Sequence, residues 1–139
     1  MQLQPYLFFN GRCEEALDFY KKVFGAEIVM MMRMKESPEP HPPGMLPPGS
    51  ENKIMHAQVA VGGAHFMASD GRASSEVHFQ GFALSLAFPD EEGAKKAYDA
   101  VSKQGRVDMP LTKTFWSPCF GMVTDQFGVQ WMITTIHSQ

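Results

Sequence analysis

Residues 4–34 read QPYLFFNGRCEEALDFYKKVFGAEIVMMMRM, and the spacing of apolar residues changes twice within this stretch. Residues 4–9 form a short aromatic run that ends at the turn signal Asn10-Gly11, which predicts a strand. From residue 13 the apolar residues recur at helical spacing, and Gly25 stands where a helix C-cap would be. Residues 26–34 return to an extended pattern. The stretch therefore predicts a strand, a helix over 12–24 and a second strand.

The next part of the chain predicts a loop followed by a hairpin. Residues 35–52 hold six prolines and two glycines, and a loop of this length is typical either of a functional rim or of a mobile surface insertion. Residues 53–61 and 64–69 are extended runs separated by Gly62-Gly63, a pattern that favours a tight hairpin turn. The hairpin completes the elements of the first half.

The second half repeats this order. Strands are predicted over 81–88, 106–112, 115–124 and 129–136, with a helix over 90–103 that begins with acidic residues and is followed by Gly105. Such self-similarity predicts the whole fold. We expect one α+β domain over 1–139, with βαβββ modules over 1–70 and 81–139 joined by a linker over 71–80.

Composition excludes several classes of protein. At 139 residues, with 44% hydrophobic and 19% charged residues, the chain fits a single globular domain without a membrane span. A net charge of −3 without a Lys/Arg cluster argues against a nucleic-acid partner. Two cysteines give no disulfide framework. Because the first residues lack the pattern of a secretory signal, the expected location is the cytoplasm.

Several motifs resemble one known family. Residues 16–26 (ALDFYKKVFGA) resemble the helix that opens glyoxalase-type domains, and residues 125–131 (DQFGVQW) resemble their closing turn and strand. Residues 53–57 with Gly62-Gly63 and Asp70, then Phe115-Trp116 and Phe120-Gly121, are similar to the PhnB-like branch of the vicinal oxygen chelate superfamily (glyoxalase, bleomycin resistance and dioxygenase proteins). The resemblance implies two modules whose curved mixed sheets surround a cleft, and a homodimer.

The resemblance also implies a metal site that this sequence lacks. In metal-using relatives the first and last strand of each module each supply one ligand. Ungapped matching places these positions near Pro5, His56, Gly81 and Met132, with equal intervals of about 51 residues in each half; a slip of one residue gives Tyr6 or Phe82. His alone suits a hard divalent ion, so we expect no metal and no other cofactor.

Strand alternation predicts the residues that face the cleft. Met55, Ala57, Val59 and Val61 form one apolar face, which leaves His56 and Gln58 on the other. A histidine can carry protons near neutral pH, so His56 is either the catalytic acid or base or a hydrogen-bonding wall residue. In the second half, small residues that include Ser85 leave room for a ligand.

Three further residues are candidates for ligand contact. Trp116 can stack on a planar ligand or pack in the core. Cys119 is either a reactive thiol or a small buried hydrophobe, and its sequence neighbours supply no cation that would activate it. Met132 lies at one of the four matched metal-ligand positions, but its thioether does not suit a hard metal ion. The methionines at 30–32 and 34 suit an adaptable pocket, a subunit contact or ordinary burial.

Two functions remain open at this point. The first is a protein that binds a small organic molecule in the cleft without a catalytic metal, as bleomycin-resistance relatives do. The second is a lyase, isomerase or dioxygenase of the superfamily that uses either His56 or a divalent metal. A methyltransferase is disfavoured because the sequence has no Gly-rich nucleotide loop.

Overall fold

The computed structural model describes residues 1–38, 49–71 and 78–136, and its chain divides into one unit over Met1–Val77 and another over His78–Gln139. Residues 39–48 of the predicted loop and 72–77 of the predicted linker lie outside the described residues. No helix in the described ranges is long and apolar enough to cross a membrane.

The first unit is a four-stranded sheet with one helix. Its strand order is β1-β4-β3-β2, in which β1 and β4 run parallel and the other neighbours antiparallel. Gly62 and Gly63 have φ values of 56° and 90°, so the predicted tight turn joins β3 to β4. The elements are β1 (Tyr6–Phe8), α1 (Cys13–Phe24), β2 (Glu27–Arg33), β3 (Ile54–Val61) and β4 (Ala64–Ser69), with short 3-10 turns at Met34–Glu36 and Ser50–Asn52.

Helix α1 forms where the apolar spacing predicts it. Its buried face consists of Cys13, Ala16, Leu17 and Tyr20, and its acidic first turn and basic last turn match the helix dipole. Gly25 adopts a left-handed conformation and donates its N–H to the carbonyl of Tyr20, which ends the helix. The Tyr20 ring packs edge-on against Phe66 at 6.3 Å. The sheet face that carries Phe66 is therefore the face covered by the helix.

The second unit repeats the same plan. Its strand order is β5-β8-β7-β6, again with one parallel pair, β5 with β8. Asp90 caps the helix by accepting the N–H of Gly93 at 2.7 Å. The elements are β5 (Leu84–Phe88), α2 (Glu91–Ser102), β6 (Arg106–Thr112), β7 (Phe120–Thr124) and β8 (Gln130–Thr135). Two four-stranded mixed sheets with one helix each confirm the predicted α+β architecture of two βαβββ modules.

In the second unit, two strands begin at least three residues later than predicted. Strand β5 begins at Leu84 rather than at residue 81, where the chain has a positive φ at Gly81. Strand β7 begins at Phe120 rather than at residue 115. Residues 114–117 instead form a turn in which the N–H of Thr114 donates to the carbonyl of Ser117 at 2.9 Å, and Pro118 cannot donate to a sheet ladder. The prediction that residues 115–119 are extended was wrong.

Candidate functional site

The sheet of the first unit has one face that its helix does not cover, called here the first open face. Buried side chains point toward the helix: Leu7, Ala57, Val59, Phe66 and Ala68. Because side chains alternate along a strand, their neighbours point the other way. Register places one residue from each strand in a single row across this face, in the order Tyr6, Met67, Gln58 and Met30. His56 lies two residues before Gln58 on the same face of β3, beside Met32 of β2.

His56 is hydrogen bonded to a tyrosine on the first open face. The Tyr6 hydroxyl and Nδ1 of His56 are 2.9 Å apart, and the two ring centroids are 5.6 Å apart. Phe8 stacks on Tyr6 at 4.9 Å. Burial raises the pKa of the Tyr6 hydroxyl above its ordinary value, so Tyr6 keeps its proton at neutral pH. Among the described residues, Nε2 of His56 has no hydrogen-bond partner.

Sequence reasoning placed His56 and Gln58 on one face, but it missed Tyr6 as the partner of His56. The two residues are 50 positions apart in sequence and lie on strands that are not hydrogen bonded to each other. Strand β4 separates β1 from β3, so the contact depends on the order of strands in the sheet. A parallel first and last strand, expected for such a module, is the signal from which the pairing could have been inferred.

The second unit has an equivalent face, called here the second open face. Its row of paired residues runs Ser85, Met132, Met122 and Met109. The helix lies on the other side, because a Cβ added at Gly121 would be 2.9 Å from the Tyr98 ring of α2. Ser85 and Met132 are thus brought side by side on parallel strands. That these two residues contact a ligand stays a prediction.

Trp116 lies in the turn before β7 rather than on a strand. Its ring packs edge-on against Phe120 at 5.4 Å and against Phe115 at 4.7 Å. Phe120 pairs with Thr134, which shares its strand face with Met132. The Ser117 hydroxyl fixes the turn by donating to the carbonyl of Cys119 at 2.8 Å, and it lies 2.7 Å from the Thr134 hydroxyl. Trp116 is therefore held at the edge of the second open face.

Cys119 does not share a face with Ser85 and Met132. It is buried and lines a groove of about 530 Å³ together with Glu91, Lys95 and Tyr98 of α2. Burial, and then the nearby charge of Glu91, raises the pKa of its thiol. A thiol that stays protonated is a poor nucleophile. Of the two alternatives for Cys119, its burial on the helix side of the sheet favours the small buried hydrophobe.

The ungapped register used for the metal-ligand positions was wrong. It set His56 equivalent to Met132, but His56 lies on the third strand of its module and Met132 on the fourth. The pairing rows instead make Met67 equivalent to Met132, and Tyr6 equivalent to Ser85. Twenty residues separate β2 from β3, whereas seven separate β6 from β7. The two equal intervals of about 51 residues therefore joined positions that are not equivalent, because the two loops differ in length.

The corrected positions do not fit a catalytic metal either. Tyr6, Met67, Ser85 and Met132 supply two thioethers, a hydroxyl and a protonated phenol, whereas divalent zinc, iron or manganese is held by imidazole, carboxylate or thiolate groups. Within residues 1–38, 49–71 and 78–136, no three His, Cys, Asp or Glu side chains are grouped so that they could hold an ion. These four side chains therefore lack the donor chemistry of such a metal site.

Two buried aspartates act as backbone acceptors. Asp70 accepts the N–H groups of Gly11 and Cys13 through Oδ1, both at 2.8 Å, and that of Ile54 through Oδ2 at 2.7 Å. Asp125 accepts the N–H groups of Phe127 and Val129 and the indole N–H of Trp131. Each carboxylate therefore has a structural role, because its hydrogen bonds fix the backbone around it.

Comparison with known proteins supports the family resemblance. The family model described as "Glyoxalase/Bleomycin resistance protein/Dioxygenase superfamily" matches residues 2–133. Protein YjdN of Escherichia coli is 36% identical over 146 aligned residues, which cover 100% of this chain and 98% of YjdN.

Two solved structures are similar over nearly their full length. Protein PA1353 from Pseudomonas aeruginosa has a TM-score of 0.84 and 37% identity, with 99% of both chains covered. A PhnB protein from Bacillus cereus, described as a putative 3-demethylubiquinone-9 3-methyltransferase, has a TM-score of 0.80 and 28% identity, with 98% of this chain and 100% of that chain covered. The chain thus belongs to the glyoxalase, bleomycin resistance and dioxygenase superfamily and has PhnB-like structural neighbours.

Proposed function

We propose that this protein binds a small organic molecule on the first open face and that it does so without a catalytic metal. The observation that carries the proposal is the contact between Tyr6 and His56 within a surface of methionine and aromatic side chains. Met and aromatic groups adapt to planar apolar ligands, while a few placed polar groups fix their orientation. Binding of this kind is consistent with the donor set, which does not suit a hard cation.

The Tyr6 contact defines which atom a ligand must present to His56. Since Tyr6 stays protonated, its hydroxyl can donate to Nδ1, which leaves the proton of a neutral imidazole on Nε2. That Nε2–H group is a donor without a partner among the described residues. A carbonyl, carboxylate or other oxygen acceptor would satisfy it, with the apolar part of the ligand against Phe8, Met30 and Met67. The ligand class is therefore an apolar molecule with an acceptor oxygen.

Paired probes test this assignment. 2-Acetylnaphthalene offers a ketone oxygen, whereas 2-ethylnaphthalene has nearly the same shape without an acceptor. We expect the ketone to bind about fivefold more tightly, because one neutral hydrogen bond contributes about 1 kcal/mol. His56→Ala should abolish this preference and Tyr6→Phe should reduce it, whereas the control Lys22→Ala, on the exposed surface of α1, should retain it. Isothermal titration or NMR titration measures the affinities, and equal binding of both probes to the unaltered protein would contradict the proposal.

The same geometry favours a second candidate, an enzyme in which His56 transfers protons. A tyrosine that fixes the tautomer of a histidine is an arrangement that general acid or base catalysis uses. Turnover of a bound small molecule that is lost in His56→Ala, while its binding is retained, would favour this candidate. Binding without any chemical change would favour the first.

Metal analysis supplies a further prediction. The protein purified without added metal should hold no stoichiometric Zn, Ni, Mn or Fe by elemental analysis, since neither open face presents enough suitable donors. Its melting temperature should be unchanged by a chelator. One tightly bound ion per chain that is lost in His56→Ala would show that donors outside these rows complete a metal site, and would favour the metal-dependent alternative.

The family resemblance and strand β2 support a homodimer. Strand β2 is an edge of its sheet, and its side chains Val29, Met30 and Met31 are exposed. An exposed apolar edge strand readily pairs with another chain. We expect a dimer in sedimentation equilibrium at roughly tens of micromolar. Met31→Lys should shift the equilibrium toward monomer while Lys22→Met should not, and a monomer under these conditions would overturn the proposal.

A further inference from the structure

A polar network occupies one end of the second open face, two residues from Met132 along β8. Register places Arg106, Thr124 and Gln130 side by side on β6, β7 and β8. Asp108 joins them through one carboxylate. It accepts from Arg106 Nε at 2.9 Å, from the Thr124 hydroxyl at 2.5 Å and from Gln130 Nε2 at 3.2 Å. Three side chains from three strands are thus oriented by a single acceptor.

The network depends on a bulge in β6. Pairing with β7 shifts between Val107 and Met109, so Asp108 is the extra residue at this point of the strand. Bulges commonly reorient a side chain beside a functional site. The first unit has a shift at the equivalent place, between Ile28 and Met30, but the extra residue there is Val29, which is 52% exposed. The row equivalent to Arg106, Thr124 and Gln130 is Glu27, Ala60 and His65. Among the described residues, this polar network is therefore present in the second unit and absent from the equivalent row of the first.

Two polar groups of this network remain available for a ligand. The Arg106 guanidinium uses Nε and Nη2 within the network, and among the described residues Nη1 has no acceptor. Gln130 donates to Asp108 through Nε2, which turns its Oε1 acceptor away from the carboxylate, and Oε1 has no donor within the described ranges. Both side chains line a pocket of about 200 Å³. One donor and one acceptor thus lie in the same pocket.

The remaining wall of the pocket consists of two aromatic residues, Gln80 and two glycines. Phe79 and Phe82 line it as an edge-to-face pair with centroids 6.3 Å apart, and Gly81 and Gly128 add no side chains. Aromatic faces and edges favour a planar ring. The volume is below the roughly 300–1,000 Å³ of complete ligand pockets, so it fits one small ring or the end of a larger molecule.

From this geometry we propose that the pocket binds a planar, uncharged ring with a cyclic amide edge, such as a pyrimidinedione. The ring oxygen accepts from Arg106, the adjacent ring N–H donates to Gln130, and the ring packs against Phe79 and Phe82. An anion is disfavoured because Asp108 already compensates the charge of Arg106 at 2.9 Å and would repel a carboxylate. The site is independent of Tyr6 and His56, so it does not rest on the function proposed for the first open face.

Uracil is the probe for this proposal, followed by ¹H–¹⁵N NMR of the full-length protein. We expect saturable shifts of the Arg106 Nε–H and Gln130 side-chain amide signals, with a dissociation constant of about 1 mM. 1,3-Dimethyluracil, which lacks the N–H donor, should bind at least roughly fivefold more weakly. Arg106→Met and Gln130→Met should each weaken uracil binding roughly fivefold to tenfold. The control Lys103→Met should bind uracil normally.

Three results would overturn the assignment. Tighter binding of benzoate than of uracil would make the pocket an anion site. Equal binding of uracil and 1,3-dimethyluracil would show that the ring N–H makes no hydrogen bond to Gln130 and that only ring packing holds the probe. Uracil shifts that persist in both Arg106→Met and Gln130→Met, with well-dispersed spectra that show both variants folded, would place the probe elsewhere. Loss of the ketone preference on the first open face would leave this proposal unaffected, because the two tests use different residues and probes.

Discussion

Asp70→Ala should lower the free energy of unfolding by about 3–6 kcal/mol. The substitution leaves three backbone N–H groups without their acceptor, and an unsatisfied buried donor costs about 1–3 kcal/mol. Asp70 is 1% exposed, and its carboxylate joins the start of α1, through Gly11 and Cys13, to the start of β3 at Ile54. For a chain of this size the loss corresponds to a fall in melting temperature of about 10–20 °C, measurable by calorimetry or circular dichroism.

Two variants make this result specific to Asp70. Asp70→Asn keeps an oxygen for Gly11 and Cys13 but turns an amide donor toward the N–H of Ile54, so its loss should be roughly half as large. Asp18→Ala removes the same charge from the exposed surface of α1 and should change stability by less than about 0.5 kcal/mol. Asp70→Ala and Asp18→Ala variants of equal stability would contradict the assigned role of the Asp70 carboxylate.

The order of elements could be predicted from the sequence because it depends on local spacing. Helix α1 ends at Phe24 as the apolar pattern and Gly25 predict, and the Gly62-Gly63 turn joins β3 to β4. Such features need only neighbours along the chain. Strand ends that depend on a local turn were less predictable, since the hydrogen bonds of Thr114 and Ser117 compete with extension of β7.

The candidate sites could be predicted only in part, because they depend on pairing between distant strands. Alternation placed His56 and Gln58 on one face of β3, but the position of Tyr6 follows from β4 lying between β1 and β3. Matching the two halves without gaps failed because the loop before β3 is much longer than the loop before β7. The position of Asp108 could not be predicted, since a bulge changes the side of the strand on which a residue lies and does not alter the spacing of apolar residues.

Asp125 stabilises the hairpin between β7 and β8 through hydrogen bonds to backbone N–H groups, as Asp70 does in the first unit. It also positions Trp131, the largest fully buried side chain. Its Oδ1 accepts the N–H groups of Phe127 and Val129 at 2.9 and 3.0 Å. Its Oδ2 accepts the indole N–H of Trp131 at 2.8 Å, and Trp131 is 2% exposed. A buried charged acceptor with three donors forms stronger hydrogen bonds than a neutral one.

Asp125→Ala should therefore lower the free energy of unfolding by about 3–5 kcal/mol, because two turn amides and one indole N–H lose their acceptor together. Trp131→Phe removes only the indole donor and some volume, and should cost about 1–3 kcal/mol. The loss of stability in the double variant should be smaller than the sum of the two single losses by at least about 0.5 kcal/mol. The reason is that both single changes break the same hydrogen bond. Chemical unfolding of the four proteins, with Asp99→Ala as the exposed control, measures this coupling. Strictly additive losses would show that Asp125 supports the turn alone and that Trp131 is held by packing.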